Sequence, residues 1–150
     1  MRFYNILLLT TTLTYSQINP KNIDIVRDQY GIPHIFAKTD AELAYGLAWA
    51  NAEDDFNTIQ EAYLAGNAML SRHIGLKGAP ADFITQFIGS KELIDEKIGE
   101  ISNDYLKVIS AYAEGLNSYA KKNPEKVLYK KLFPITPKTV SYTHLTLPTN

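Results

Sequence analysis

Residues 23–37 read as a β-hairpin, and no later segment of the chain reads as a strand that could join it. Ile23-Asp24-Ile25-Val26-Arg27 alternates in the manner of a short strand. Asp28-Gln29-Tyr30-Gly31 has turn chemistry, and Pro33 suits the first position of the returning strand Pro33–Ala37, where a missing N–H does least harm. Two strands alone do not make a stable sheet. A hairpin followed almost entirely by helices therefore wants further strands, and that deficit points to part of a larger layered architecture.

The helical signals after the hairpin are strong. Thr39 and Glu42 have capping-box spacing and open a helix to about Ala65, long enough to kink or break. Leu43, Leu47, Ala50 and Asp54 share one face of it, with Tyr45, Trp49 and Phe56 nearby. Gly46 costs about 1 kcal/mol inside a helix and suits a position where another element packs closely. Gly66 ends this run, and a short helix follows within Asn67–Ile74, closed by Gly75. Pro80 opens a helix through Phe87, Gly89 stops it, and Ser90 is placed to cap a helix over 91–99.

The clearest helix starts at Ser102-Asn103-Asp104. Tyr105, Leu106, Ile109, Tyr112, Ala113, Leu116 and Ala120 recur at three- and four-residue steps, and Asn123-Pro124 ends the run. Pro124 begins a further short helix to about Leu132, and Phe133–Pro137 must be extended. Ser141–Asn150 has no helical period and resembles a translated sequencing-adapter tail, so residues 141–150 are set apart as a suspect non-native tail.

The N-terminus has the positive-apolar-small order of an export signal. Met1-Arg2 is followed by an apolar run from Phe3 to Leu13 and by Thr14-Tyr15-Ser16, with cleavage expected near Ser16. A periplasmic or secreted product is the expectation, against the alternative of a buried first element. No other stretch reaches the ~18 apolar residues that a membrane span needs. The 15 Lys and Arg balance 16 Asp and Glu for a formal net charge of -1, which gives no global drive toward nucleic acid. Lys121-Lys122 and Lys130-Lys131 read as solvated pairs beside Glu125. The absence of cysteine excludes disulfides, thiolate nucleophiles and cysteine-ligated zinc.

Several residues invite a catalytic reading. His34 is the natural base near neutrality, but it sits at a strand start and reads better as a structural hydrogen-bonding group. Ser71 and His73 lie two residues apart on a helix and point to different faces. Gly89-Ser90 has the form of a self-cleavage dipeptide, yet a helix stop followed by a cap explains it. Glu53-Asp54-Asp55 could be a carboxylate pair, but a buried helix contact for Asp54 beside a solvated face is favoured. Tyr45, Trp49 and Phe56 could line an acyl pocket, and core packing is favoured. His34, His73 and His144 are too scattered for a zinc site.

Four blocks in order resemble the penicillin acylase family, which includes acyl-homoserine-lactone acylases. Ile25–Ala37, with Arg27-Asp28, Tyr30-Gly31 and Pro33-His34-Ile35, is similar to its opening signature. Ala44–Asp54 resembles its first helix, Tyr112–Tyr119 a later helix carrying Gly-Leu-Asn, and Pro134–Lys138 the extended link beyond that helix. The resemblance implies an α+β chain that is a piece of a four-layer αββα N-terminal-nucleophile hydrolase. Residues 17–140 would be the N-terminal part of its α chain, an incomplete domain, after a signal peptide at residues 1–16.

The implied activity is hydrolysis of a linear amide of an N-acyl substrate: an acyl-homoserine lactone, a lipopeptide or a β-lactam side chain. The implied nucleophile is the N-terminal serine of a β chain cut from the same precursor. That serine lies outside these residues, so no catalytic residue is assigned, no metal ligand is assigned, and the substrate-binding residues are unknown. The piece alone is expected to be inactive. The resemblance implies no cofactor for catalysis, with calcium open to the full-length parent. Its implied partners are the N-acyl substrate and the β chain. The rival reading is a small secreted helical binding protein without enzymatic activity.

Overall fold

The computed structural model describes residues 18–145. The export-signal reading of residues 1–16 and the end at 146–150 lie outside them. The order is a β-hairpin and then helices: β1 Asp24–Arg27, β2 Pro33–Phe36, α1 Asp40–Gly66, α2 Ser71–Ile74, α3 Ala79–Ile88, α4 Ser90–Lys97, α5 Asn103–Lys122 and α6 Pro137–Leu145.

β1 and β2 pair antiparallel, with Asp24 opposite Phe36 and Arg27 opposite Pro33. The facing pair Ile25–Ile35 is half-buried, while Val26, His34 and Phe36 are exposed. Asp28 shapes the turn: its carboxylate accepts the N–H groups of Tyr30 and Ile32 at 2.9 and 3.0 Å. Gly31 has a φ of +80°, a conformation that glycine adopts without strain. Among the described residues these are the only two strands, so both outer edges lack a strand partner.

α1 starts as its sequence predicts. The Thr39 hydroxyl accepts the Glu42 N–H at 3.2 Å, and the Glu42 carboxylate reaches back to the Lys38 N–H at 3.1 Å. The expected break is at Asp55, whose φ of -154° and ψ of 74° are not helical. Asp55 then caps the second half of α1 by accepting the Thr58 N–H at 3.1 Å.

The buried stripe of α1 differs from expectation. Ala44, Tyr45, Ala48, Ala52 and Phe56 are buried, whereas Leu43 and Leu47 are each 44% exposed. The reason is the closeness of α5, which packs along α1. A Cβ on Gly115 would lie 2.6 Å from the Tyr45 carbonyl oxygen and 2.8 Å from the Ala48 Cβ, so only small side chains fit at the crossing. Gly46 serves the hairpin in the same way, with Ile35 Cγ2 2.7 Å and Ile23 Cγ2 2.9 Å from where its Cβ would stand.

Ser102 caps α5 as expected, accepting the Tyr105 N–H at 3.3 Å. Ser90 does not cap α4. Gly89, left-handed at φ 70° and ψ 27°, both ends α3 and precedes α4 directly. No extended residue is left for a side-chain cap, and the Ser90 hydroxyl is buried without a hydrogen-bond partner. The segment after Pro124 is two separate 3-10 turns, Pro124–Lys126 and Lys130–Leu132, rather than one helix. Residues 133–136 are a non-helical link that opens extended at Phe133, φ -98° and ψ 146°, and bends at Pro134 after a cis Phe133–Pro134 bond. α6 carries helical structure into the stretch that lacks a helical period, and Ser141 and Tyr142 are buried. Nearby, Lys138 and the Tyr142 hydroxyl both donate to Asp95 of α4, at 2.6 and 3.1 Å.

Candidate functional site

The densest polar cluster joins the hairpin to α1. Arg27, the last residue of β1, donates to the Gly31 carbonyl at 2.8 Å, to the Ala50 carbonyl at 3.5 Å and to Glu53 at 3.3 Å, and pairs with Asp54 at 2.7 Å. Trp49 Nε1 holds the other oxygen of Glu53 at 2.8 Å. The cluster lies one residue before the break at Asp55, where the first half of α1 runs out of helical partners. A guanidinium placed there also complements the negative end of that helical segment. Hydrogen bonding to the Asp54 carboxylate above all raises the Arg27 pKa, keeping it charged.

This corrects one sequence expectation. Asp54 is a structural contact, but an exposed one, because its partner approaches from the hairpin side. The Glu53-Asp54-Asp55 carboxylates are divided between the Arg27 staple and the Thr58 cap. They do not form an acid–base pair. Hydrogen bonds from Thr58 hold the Asp55 carboxyl below its ordinary range.

His34 is exposed and has a structural partner, with Nε2 3.4 Å from Asp28 Oδ2. Asp28 is held below the usual carboxylate range by the Ile32 N–H first, then by the Tyr30 N–H and His34. Among the described residues no hydrogen bond joins the side chains of Ser71 and His73. The Ser71 and Leu70 N–H groups are instead bound by the buried Asp82 carboxylate at 2.8 and 2.7 Å. Gly89-Ser90 is the junction between α3 and α4. Tyr45 and Phe56 are core residues, and Trp49 packs edge-on to Tyr119 at 5.3 Å. Phe56 meets Tyr119 at 5.0 Å and Phe133 at 5.9 Å. The aromatic side chains therefore fill the α1–α5 seam. The side chain of His144 lies outside the described residues.

Two amides, Gln60 buried and Asn117 half-buried, were given no role from sequence, and each clamps the link between α5 and α6. Gln60, fully buried, donates to the Lys126 carbonyl at 3.0 Å and accepts the Leu128 N–H at 2.8 Å. Asn117 donates to the Ile135 carbonyl at 2.8 Å and accepts the Ile135 N–H at 2.7 Å. Their signal was a polar residue inside an apolar stripe: Gln60 between Phe56 and Leu64, Asn117 beside Leu116 and Ala120.

Among the described residues no group of three or more His, Asp or Glu side chains is arranged to hold a metal ion. Likewise no described helix is long and apolar enough to cross a membrane.

A hairpin thus lies on the first of two long packed helices, and a non-helical link leads on to a third. A structure of thermostable penicillin G acylase from Alcaligenes faecalis superposes with a TM-score of 0.70 at 23% identity, over 82% of this chain and 70% of that one. The fold is thus α+β, a part of that αββα architecture. The family model for penicillin amidase matches residues 22–147, and the chain belongs to that family.

Similar relatives include penicillin G acylase of Escherichia coli, 30% identical over 121 residues, which is 77% of this chain and 14% of that protein. Aculeacin-A acylase of Actinoplanes utahensis is 34% identical over 76 residues, 51% of this chain and 10% of that protein. Acyl-homoserine lactone acylase PvdQ of Pseudomonas putida is 27% identical over 97 residues, 59% of this chain and 13% of that protein. The chain spans about one-seventh or less of the length of these relatives.

Proposed function

We propose that this chain is the leading part of an exported acylase precursor that hydrolyses the linear amide bond of an N-acyl substrate. The observation that carries the reading is the family match across residues 22–147, with relatives named as acylases. Their names cover a penicillin, aculeacin A and an acyl-homoserine lactone, so the substrate class proposed is an N-acyl amide of any of these kinds. The positive-apolar-small pattern at residues 1–16 supports export to the periplasm or beyond.

In this reading the described residues supply scaffold: the α1–α5 seam, the hairpin stapled to it, and the clamped link leading into α6. The reacting hydroxyl is that of a serine freed at the start of a second chain of the same precursor. Its own α-amine, with an unperturbed pKa near ~8, takes the hydroxyl proton at working pH. Donors aimed at the tetrahedral oxyanion lower the barrier; its collapse breaks the C–N bond and expels the amine, which takes the proton back from the α-amine, and water then hydrolyses the serine ester to release the acid and restore the hydroxyl. Expression of the coding sequence extended past residue 150 tests this. Intact mass and N-terminal sequencing should show two chains, the second beginning with serine. An active, uncut single chain would contradict the reading.

A further inference from the structure

Lys121-Lys122 and Lys130-Lys131 read as solvated pairs in sequence, but the fold brings one member of each pair to the same groove. The end of α5 and the link after it enclose an open groove of about 360 Å³, lined by Ala120, Pro124, Val127, Phe133 and Pro134. Lys121 and Lys130 line it as well, from two different elements, and no carboxylate does. Neither lysine takes part in an ion pair among the described residues. Lys126, between them in sequence, is engaged by the Tyr119 hydroxyl at 2.9 Å. Asn117, also at the groove, spends its amide on Ile135. From Lys121 to Lys131 five lysines face one glutamate, a local surplus of four positive charges in a chain whose formal net charge is -1.

We propose that this groove binds an amphipathic carboxylate such as a medium-chain fatty acid anion. The apolar lining takes the tail and the ammonium groups of Lys121 and Lys130 take the head. The volume is that of a small-ligand site, and an apolar concavity with a few placed charges is the usual form of one. Ammonium groups are compact point charges suited to a monoanionic head, whereas planar, bidentate phosphate recognition favours arginine, and none lines the groove. A membrane surface would call for a protruding apolar face rather than a concave one. The inference stands apart from the acylase reading, since it uses none of the reacting groups.

Titration calorimetry of sodium octanoate into the full protein tests it, with 1-octanol as the neutral comparator. Saturable octanoate binding is expected, weakened about tenfold or more in Lys121→Gln/Lys130→Gln through the loss of two charge-assisted contacts. Octanol should not show the lysine-dependent component. A second variant, Val127→Asp, should abolish the same component by placing a like charge in the groove. Circular dichroism of each variant verifies that it is folded. Absent binding, or octanoate binding equal in wild type and both variants, overturns the proposal. So does lysine-dependent co-sedimentation with phosphatidylglycerol vesicles without octanoate binding, which would assign the surface to a membrane.

Discussion

Gly115→Ala probes the close approach of α1 and α5. The added methyl would lie 2.6 Å from the Tyr45 carbonyl oxygen and 2.8 Å from the Ala48 Cβ. Neither neighbour can rotate aside, because one is backbone and the other a bare methyl. Relief requires α1 and α5 to part, loosening contacts among Ala48, Phe56, Ala113 and Leu116 in the shared core. Overpacking of this kind costs roughly 1–3 kcal/mol, and a backbone clash belongs at the upper end. Alanine returns about 1 kcal/mol of helix propensity over glycine. The net effect is a loss of about 2 kcal/mol. In urea unfolding followed by far-ultraviolet circular dichroism, a slope of about 1–3 kcal/mol/M turns this into a midpoint lowered by about 1 M. Gly99→Ala, where no atom lies within 4 Å of the added methyl, is the control and should leave the midpoint nearly unchanged. A midpoint raised by Gly115→Ala would refute the reasoning, since propensity would then outweigh the clash.

Gln60→Leu should cost roughly 2–4 kcal/mol in the same assay, because it strands the Lys126 carbonyl and the Leu128 N–H; an unchanged midpoint would show that the clamp contributes nothing. Arg27→Ala should speed amide exchange across β1 and β2 while α5 keeps its protection, and hairpin protection equal to that of the wild type would mean that the hairpin does not need the staple. Stability should also fall in acid through Asp28. Its carboxyl is held below the ordinary value of 3.8 by the Ile32 N–H, so its contribution is present above that value and is lost as pH falls through the lower folded value. Asp28→Asn should flatten this acid limb in a pH series of urea melts, and an identical limb in the variant would exclude Asp28 as its source.

Local chemistry was legible wherever a rule acts over a few residues. The Thr39–Glu42 box, the Ser102 cap, the Asp28–Gly31 turn and the stop at Gly89 are all of this kind. The stripe of α5 was legible in part: Ile109, Ala113, Leu116 and Ala120 are buried as its period predicts, but Tyr105 is 57% exposed, and Ala111 and Tyr119 are buried outside the predicted set because α5 meets α6 as well as α1. The stripe of α1 was not, because two neighbours compete for it: α5 takes the alanine side at Ala48 and the hairpin takes Gly46, leaving Leu43 and Leu47 partly exposed. The Arg27 staple joins residues 26 and 27 positions apart, which no local spacing reveals. Ser90 failed as a cap because a cap needs an extended backbone, and Gly89 had already used the only residue between the two helices. Of the candidate site, the sequence placed the tempting residues in scaffold roles, and the partners that define those roles came from tertiary contact.

The central proposal is that these residues are scaffold of an acylase whose reacting serine lies elsewhere in the same precursor. The most direct test is release of free acid from N-acyl substrates, compared between residues 1–150 alone and the protein encoded by the extended gene, at equal concentration. The account predicts turnover by the extended protein and none by residues 1–150. Turnover by residues 1–150 alone would contradict it.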